Sequence, residues 1–235
     1  MQSFPPSHIP EDILPNDHAR QSSAMKLITE IKETGIQFQA MLNLGCCTDN
    51  SKQSIQRLYP DIHWTGVDLI SSPEVNIRLS NVPGVCAFDG IHFPFNSNCF
   101  DLIFSRQVLE HVMEPISLLK EVERVTQPGG LFVGSLSQLE PYHSFSMFNW
   151  TPYAINNVFN LVGFDLLLFR PGIDVFTLTV RSLSMAHWFS QFFENESPVN
   201  MTVSLLGRIL RKRISSVNAI KLRITGHLYF VARKM

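Results

Sequence analysis

The chain has 235 residues, of which 45% are hydrophobic and 17% are charged, and its formal net charge is −1. This is enough apolar material for one sizeable core and too little for two full domains, so we expect a single domain over residues 1–235. No run approaches the roughly 20 apolar residues of a membrane-spanning helix, the acidic start does not resemble a secretion signal, and the balanced charge disfavours a nucleic-acid partner. A cytoplasmic protein is therefore expected.

The cysteine and histidine spacings do not predict a metal site. The four cysteines fall in apolar or turn-like surroundings, and none forms a CxxC pair or comes with histidines at zinc-ligand spacing. We expect reduced thiols that mostly pack in the core, at Cys46, Cys47, Cys86 and Cys99.

The first part of the chain alternates short apolar runs with amphipathic segments. A helix is predicted to begin near Asp17, and a buried strand over 38–45 leads through a polar turn into a helix that Pro60 halts. Further strands are predicted over 62–69, 85–90, 100–105 and 131–136, with a helix after Pro115. This alternation predicts an α/β fold with a parallel, doubly wound sheet, whose ligands bind outside the carboxyl ends of the strands.

The second part continues with a helix over 151–163, a strand over 164–170 and a last strand over 226–233. Between these two strands, residues 179–225 approximately are predicted to form a helical, basic insertion. No acid follows Glu196, whereas eight basic residues do. The segment HWFSQFF and the later run LLGRILRKRI predict either a basic amphipathic helix that contacts an anionic membrane or a partner, or a solvated basic face.

Three strand ends carry residues suited to a nucleoside. Gly45 closes the first strand, where the missing Cβ lets the backbone approach a ligand. Asp68 ends the second strand at the place where a Rossmann-type site puts a carboxylate on the ribose hydroxyls, although a solvated strand-end acid is the plainer interpretation. Asp89 ends the third strand and is followed by Gly90. Two such acids after a glycine turn indicate an adenosine.

The run FDGIHFPFNSNCFDLIFSRQVLEHVMEPISLLKEVERVTQPGGLFVGS carries a family resemblance. It resembles the type 11 class I S-adenosylmethionine (SAM)-dependent methyltransferases in the order and spacing of its motifs. These motifs are an acid, Pro-Phe, an aromatic-Asp strand, Leu-Glu-His, a Glu-x-x-Arg-Val helix and Pro-Gly-Gly. LNLGC is also similar to a subset of that family encoded among surface-polysaccharide genes. The resemblance covers roughly residues 40–170.

The resemblance implies a Rossmann-like sheet of seven strands, mostly parallel with an antiparallel last strand, and with helices on both faces. It implies SAM contacts from Gly45 and Cys46 at the methionine end, Asp68 and Leu69 at the ribose, Asp89 and Gly90 at the adenine, and Ser105 and Gln107 near the sulfonium. One departure is expected to crowd the cofactor: where the family has Gly-x-Gly-x-Gly, this chain has Cys47 and Asp49 at the second and third glycine positions.

Two histidines are candidate catalytic bases. His111 follows Leu109-Glu110 and is either a base or a packing residue. His143 lies after the fifth strand, in a loop with several aromatic residues that faces the expected acceptor side, and is either a base or a surface histidine.

The function that follows is transfer of a methyl group from SAM to a small-molecule, glycan or lipid-linked acceptor. The alternative is a degenerate methyltransferase fold that serves as a non-catalytic binding or partner subunit. A nicotinamide-dependent oxidoreductase is disfavoured because LNLGCCTD lacks the three glycines that cradle a pyrophosphate. The sequence does not predict an oligomeric state.

Overall fold

The computed structural model describes residues 10–46, 51–69, 84–140, 145–184 and 187–235. Within these residues seven strands form one sheet in the order β3-β2-β1-β4-β5-β7-β6, and β7 runs antiparallel to both of its neighbours. The strands are β1 Ala40–Leu44, β2 His63–Leu69, β3 Val85–Phe88, β4 Phe100–Arg106, β5 Thr126–Ser137, β6 Phe164–Pro171 and β7 His227–Lys234. The predicted sheet is confirmed.

Helices occupy the connections between the strands. They are α1 Ala24–Glu33, α2 Ser51–Leu58, α3 Pro115–Val125, α4 Pro152–Leu161, α5 Val175–Ser184, α6 Pro198–Ile209 and α7 Ile214–Arg223. Short 3-10 helices cover Glu11–Ile13, Leu109–His111 and His187–Phe193. In the part of the chain that the structure describes, none of the helices has the length and apolar character needed to cross a membrane.

The predicted start of the first helix is wrong. Ser23 is the N-cap of α1, and its side chain accepts a hydrogen bond from the Lys26 amide. Asp17 serves instead as the partner of Arg170, a residue of β6 whose side chain is 3% exposed. The guanidinium hydrogen bond from Arg170 holds the pKa of Asp17 well below its usual range. An acid followed by helix-forming residues predicts a helix start, but this acid is part of a long-range ion pair.

Two apolar layers cover the two faces of the sheet. Met41, Leu102 and Val133 pack with α1 and α2 on one face. Leu42 and Ile103, which follow Met41 and Leu102 along β1 and β4, pack with α3, α4 and α7 on the other face. Successive strand residues alternate between the layers, as the pleat requires. The predicted placement of helices on both faces is confirmed.

The chain between β6 and β7 contains α5, α6 and α7, and α5 begins at Val175. The N-terminal segment holds this part of the chain in place over long sequence separations. Gln21 Nε2 donates to the Phe192 carbonyl, and Ser23 Oγ donates to Glu194 Oε2 at 2.8 Å. Whether residues 1–235 are a single domain stays a prediction.

Candidate functional site

A cavity of about 650 Å³ follows the carboxyl edge of the sheet. Along the strand order its wall passes from the end of β3 through β2, β1, β4 and β5 to the start of β7. The N-terminus of α1, the 145–147 loop and the chain near Phe193 complete the wall. Its lining includes Ser23, Gly45, Asp68, Leu69, Phe88, Gln107, Val108, His111, Ser135, Met147, Phe193, Glu194, His227 and Tyr229.

Gly45 lies at the topological switch point, because β1 pairs with β2 on one side and with β4 on the other. Its φ of +73° is in the left-handed region, and its amide donates to the Val67 carbonyl at 2.8 Å. A Cβ at this position would lie 2.5 Å from Val108 Cγ2. The turn therefore requires glycine for both its backbone angle and the space beside Val108.

Asp68 and Leu69 end β2 and line the same cavity. Asp68 is 7% exposed, and its Oδ1 accepts a hydrogen bond from the Leu69 amide at 2.8 Å. A carboxylate held at the rim of a cavity in this way can accept hydrogen bonds from a vicinal diol. The structure thus brings together three predicted cofactor contacts, Gly45, Asp68 and Leu69.

The structure does not bring the Asp89 carboxylate into the cavity lining. Asp89 is exposed, and its Oδ1 accepts hydrogen bonds from the Ile91 and His92 amides at 2.8 Å and 2.7 Å. Its Oδ2 lies 2.8 Å from His92 Nδ1. The hydrogen bond with His92 holds the pKa of Asp89 well below its usual range and raises that of His92. The buried Gly90, with a φ of +97°, shapes the turn beside Leu69.

Cys46 and Ser105 are also outside the cavity lining. The Cys46 side chain is buried, and a Cβ on Gly66 of β2 would lie 2.5 Å from its Sγ. Ser105 is 2% exposed within β4, where it pairs with Leu44 of β1 and Gly134 of β5. Their predicted roles at the methionine end and the sulfonium stay predictions. Cys47 and Asp49 lie outside the described residues.

Gln107 lies in the cavity wall with a φ of +53°, an uncommon angle for a residue with a side chain. Its amide, oriented with the nitrogen toward the acids, donates to Glu110 Oε1 at 3.0 Å and contacts Ser137 Oγ at 2.7 Å. Its backbone amide donates to the Ser135 carbonyl at 3.1 Å. Strained residues of this kind cluster at functional sites, and here the side-chain bonds hold the conformation.

The structure describes one of the two predicted bases, His111. His111 ends the 3-10 helix after β4 and lines the cavity. The neighbouring Glu110 is fully buried and accepts a hydrogen bond from the Ser137 amide at 3.1 Å. His143 lies outside the described residues. Two other members of its loop, Phe145 and Met147, line the cavity.

Sequence reasoning missed a buried pair at the β7 end of the cavity. Glu140 Oε2 lies 2.6 Å from His227 Nε2, and the two side chains are 9% and 8% exposed. Ser137 Oγ donates to the same carboxylate oxygen at 2.9 Å, and Phe193 stacks on the imidazole with ring centroids 5.5 Å apart. The only signal in the sequence was a histidine at the start of the last strand. Its partner is 87 residues away and only the sheet brings them together.

Tyr229 follows on the same strand and also lines the cavity. Burial raises the pKa of its phenol. Tyr229 therefore stays protonated near neutral pH and can act as a hydrogen-bond donor. Among the described residues no group of three or more histidine, cysteine, aspartate or glutamate side chains could hold a metal ion.

Comparison with known proteins shows which proteins this chain is similar to. A family model described as "Methyltransferase domain" matches residues 42–134. A malonyl-[acyl-carrier protein] O-methyltransferase of Alcanivorax borkumensis is 28% identical over 141 residues, which cover 56% of this chain and 47% of that protein. A cycloartenol-C-24-methyltransferase of Oryza sativa subsp. japonica is 34% identical over 58 residues, or 23% of this chain and 17% of that protein. The matched part of the chain thus spans less than half the length of these curated relatives.

Solved structures match over most of the chain. A putative sarcosine dimethylglycine methyltransferase from Galdieria sulphuraria has a TM-score of 0.59 at 15% identity, covering 90% of this chain and 84% of that one. A Haemonchus contortus phosphoethanolamine N-methyltransferase in complex with SAM has a TM-score of 0.52 at 17% identity, covering 89% and 52%. Family model, relatives and fold agree: residues 42–134 match a methyltransferase domain, and the chain has the fold of SAM-dependent methyltransferases.

Proposed function

We propose that the protein transfers the methyl group of SAM to an acceptor bound in the 650 Å³ cavity. The observation that carries this proposal is that one cavity joins a ribose-type carboxylate, Asp68, to a buried Glu140–His227 pair at the far end of the sheet edge. Its volume lies within the range of about 300–1,000 Å³ typical of small-molecule sites.

The β1–β2 end of the cavity fits SAM. Asp68 would accept hydrogen bonds from the ribose hydroxyls, and Gly45 would let the backbone approach the methionine part, in space that a Cβ would fill. Leu69 and Phe88 offer an apolar wall to the adenine. We keep Cys46, Gly90, Ser105 and Gln107 as proposed contacts. The exposed Asp89 would reach the adenine amine only by giving up part of its bonding to His92.

The β5–β7 end fits the acceptor. SAM supplies a methyl group on a positively charged sulfur; the group passes to the acceptor atom, S-adenosylhomocysteine remains, and a hydroxyl or amine acceptor loses a proton. His227 lines the cavity, and its imidazole is the group proposed to take that proton while Glu140 contacts its Nε2. The carboxylate would orient the ring and stabilise the imidazolium that forms. His111 and His143 remain proposed bases on the same side.

The acceptor is proposed as a small molecule, a glycan or a lipid-linked compound whose attacking atom carries a proton. The curated relatives bear names with a carrier-bound malonyl group and a sterol, so the family label does not choose between these classes. A non-catalytic partner subunit is not favoured, because Gly45, Asp68 and Leu69, three of the predicted cofactor contacts, line one cavity. Failure of both SAM and S-adenosylhomocysteine to bind would support that alternative.

Replacing Asp68 by alanine is expected to weaken SAM binding by about 1–3 kcal/mol, the cost of removing a charged hydrogen-bond partner. Isothermal titration with SAM and S-adenosylhomocysteine measures this without knowledge of the acceptor. Asp61→Ala is the matched control, because Asp61 is exposed in the turn before β2 and does not line the cavity. Equal affinities for the Asp68 variant and the wild-type protein would remove Asp68 from the site.

A further inference from the structure

Helix α6 presents its apolar side to solvent. A surface helix of a globular protein normally turns its apolar stripe to the core. In α6 the buried residues are Asn200 and Gly207. The large apolar residues on α6 and at its C-cap are 50–66% exposed: Met201, Leu205, Leu206, Ile209 and Leu210.

Specific contacts fix this orientation. The Asn200 amide donates to Gln21 Oε1 at 2.7 Å and to the Gly172 carbonyl at 2.9 Å. At Gly207, a Cβ would lie 2.5 Å from Val217 Cγ2, so α6 packs against α7 at a distance that only glycine permits there. Rotating α6 to hide its apolar row would break buried hydrogen bonds and this close contact. The packing of α6 therefore keeps its apolar row exposed.

The end of α6 adds positive charge to the apolar row. Arg208, Arg211, Lys212 and Arg213 follow within six residues, and in the described part of the chain none of the four forms an ion pair with an acid. No acid occurs after Glu196. An apolar surface beside unneutralised cations is the pattern of a helix that lies in the interface of an anionic membrane.

Arg211 has a backbone conformation that suits glycine. The Lys212 amide donates to the Gly207 carbonyl at 2.9 Å, and the Arg211 amide donates to the Arg208 carbonyl at 3.1 Å. These two bonds define a Schellman motif, whose left-handed position is usually glycine. Arg211 occupies it with a φ of +49°. The left-handed conformation of Arg211 therefore costs free energy that glycine would not cost. The side chain at this position is a cation at the end of the apolar row.

Two neighbouring features extend the same surface. Helix α5, which contacts α6, exposes Phe176, Val180 and Leu183 at helical spacing. A cavity of about 980 Å³ lies between α6, α7 and the N-terminal segment, with apolar lining from α6 and cations from Arg20, Arg208 and Lys212. Two acids also line it, and each is paired with a cation: Asp17 with Arg170, and Glu196 with Lys221. Apolar walls together with the basic residues fit an acyl chain below a phosphate.

We propose that α6 and the turn 210–213 after it form a docking surface for an anionic lipid membrane. The apolar row enters the boundary between headgroups and acyl chains, and the basic turn contacts lipid phosphates. A second copy of this chain is a poorer occupant, because its own basic turn would oppose the first. This surface does not include the residues proposed for methyl transfer, so the inference stands independently of the proposed function.

Vesicle co-sedimentation tests the surface directly. The full chain is expected to bind vesicles of equimolar phosphatidylglycerol and phosphatidylcholine, not to bind pure phosphatidylcholine, and to be released by salt. The pair Leu205→Ser and Ile209→Ser removes apolar contact, and the pair Arg211→Glu and Lys212→Glu reverses charge. Each pair is expected to lower the partition coefficient at least about tenfold.

Matched controls lie elsewhere on the surface. Ile36→Ser removes an exposed apolar residue at the amino edge of the sheet, and the pair Arg57→Glu and Lys120→Glu makes the same change in net charge on α2 and α3. Both controls should bind the anionic vesicles nearly as the wild-type chain does. Equal loss in the controls, binding that ignores lipid charge, or a dimer that the Leu205 and Ile209 changes dissociate would each overturn the proposal.

Arg211→Gly separates a binding role from a structural one. Glycine suits the left-handed angle, so thermal unfolding is expected to shift upward by about 2–4 °C. Binding to the anionic vesicles is expected to weaken about fivefold, since one cation near the surface is lost. A variant that is more stable and still binds vesicles as tightly as the wild-type chain would exclude Arg211 from the docking surface.

Discussion

Replacing Gly45 by alanine is expected to weaken SAM binding at least tenfold and to lower the free energy of unfolding. The φ of +73° alone costs an L-residue about 1–2 kcal/mol. The added Cβ would also lie 2.5 Å from Val108 Cγ2, so either the turn or the chain after β4 must move. Both line the cavity, and movement of either disturbs the proposed methionine end. Titration calorimetry and chemical denaturation measure the two effects.

Gly35→Ala is the matched control for the backbone angle. Gly35 has a φ of +89°, and a Cβ there meets nothing within 4 Å. It should show the stability loss of about 1–2 kcal/mol and unchanged SAM affinity. Combining Gly45→Ala with Val108→Ala should recover part of the lost affinity, measured as a double-mutant cycle against Val108→Ala. If Gly45→Ala binds SAM as the wild-type protein does, the cofactor lies elsewhere.

Replacing His227 by asparagine is expected to lower kcat about 100-fold or more, with SAM affinity unchanged. The reason is its position at the β7 end of the cavity, where Glu140 Oε2 lies 2.6 Å from Nε2 and the imidazole would take the proton of the acceptor. Release of S-adenosylhomocysteine with the acceptor that the wild-type protein methylates gives kcat and KM. For His227→Gly, added imidazole is expected to restore part of the turnover.

Glu140→Gln distinguishes a catalytic pair from a structural clamp. Glutamine keeps a hydrogen-bond partner for His227 and Ser137 but removes the charge that would stabilise an imidazolium. A base mechanism predicts lower kcat at nearly unchanged KM and thermal stability. Full turnover in both variants, with only stability reduced, would assign the pair to packing and leave proximity as the main catalytic factor.

The sheet could be predicted from the sequence because its signals are local. Each predicted strand is a short apolar run, and glycine, proline or acidic residues mark the ends, so the strand positions follow without knowledge of the partners. The number of strands and the antiparallel β7 are what the family resemblance implies, whereas the strand order was not predicted. Gly45 and Asp68 were also predictable, because the end of a parallel strand fixes the edge at which its next residue lies.

Other features of the structure differ from the sequence-based expectations or were missed by them. The helix start near Asp17 was wrong because Arg170 binds that carboxylate, and no local pattern shows a partner 153 residues away. Asp89 was predicted for the adenine, but His92, three residues later, holds its side chain outside the cavity lining. For Cys46 and Ser105 the motif indicates a strand end, the structure leaves both residues outside the cavity lining, and their roles stay predictions. The Glu140–His227 pair exists only when β5 and β7 are paired.

The bonds between the N-terminal segment and the insertion have a consequence for the order of folding. Gln21 and Ser23 bond to Phe192 and Glu194, and the Asn218 amide reaches the Pro15 carbonyl across 203 residues. During synthesis these residues cannot make the long-range bonds until the chain beyond residue 190 has been made. Ser23 and Glu194 both belong to the cavity wall, so the site closes only when the two ends of the chain meet. Loop closure over such separations is slow, and we expect the ligand cavity to be among the last parts of the protein to form.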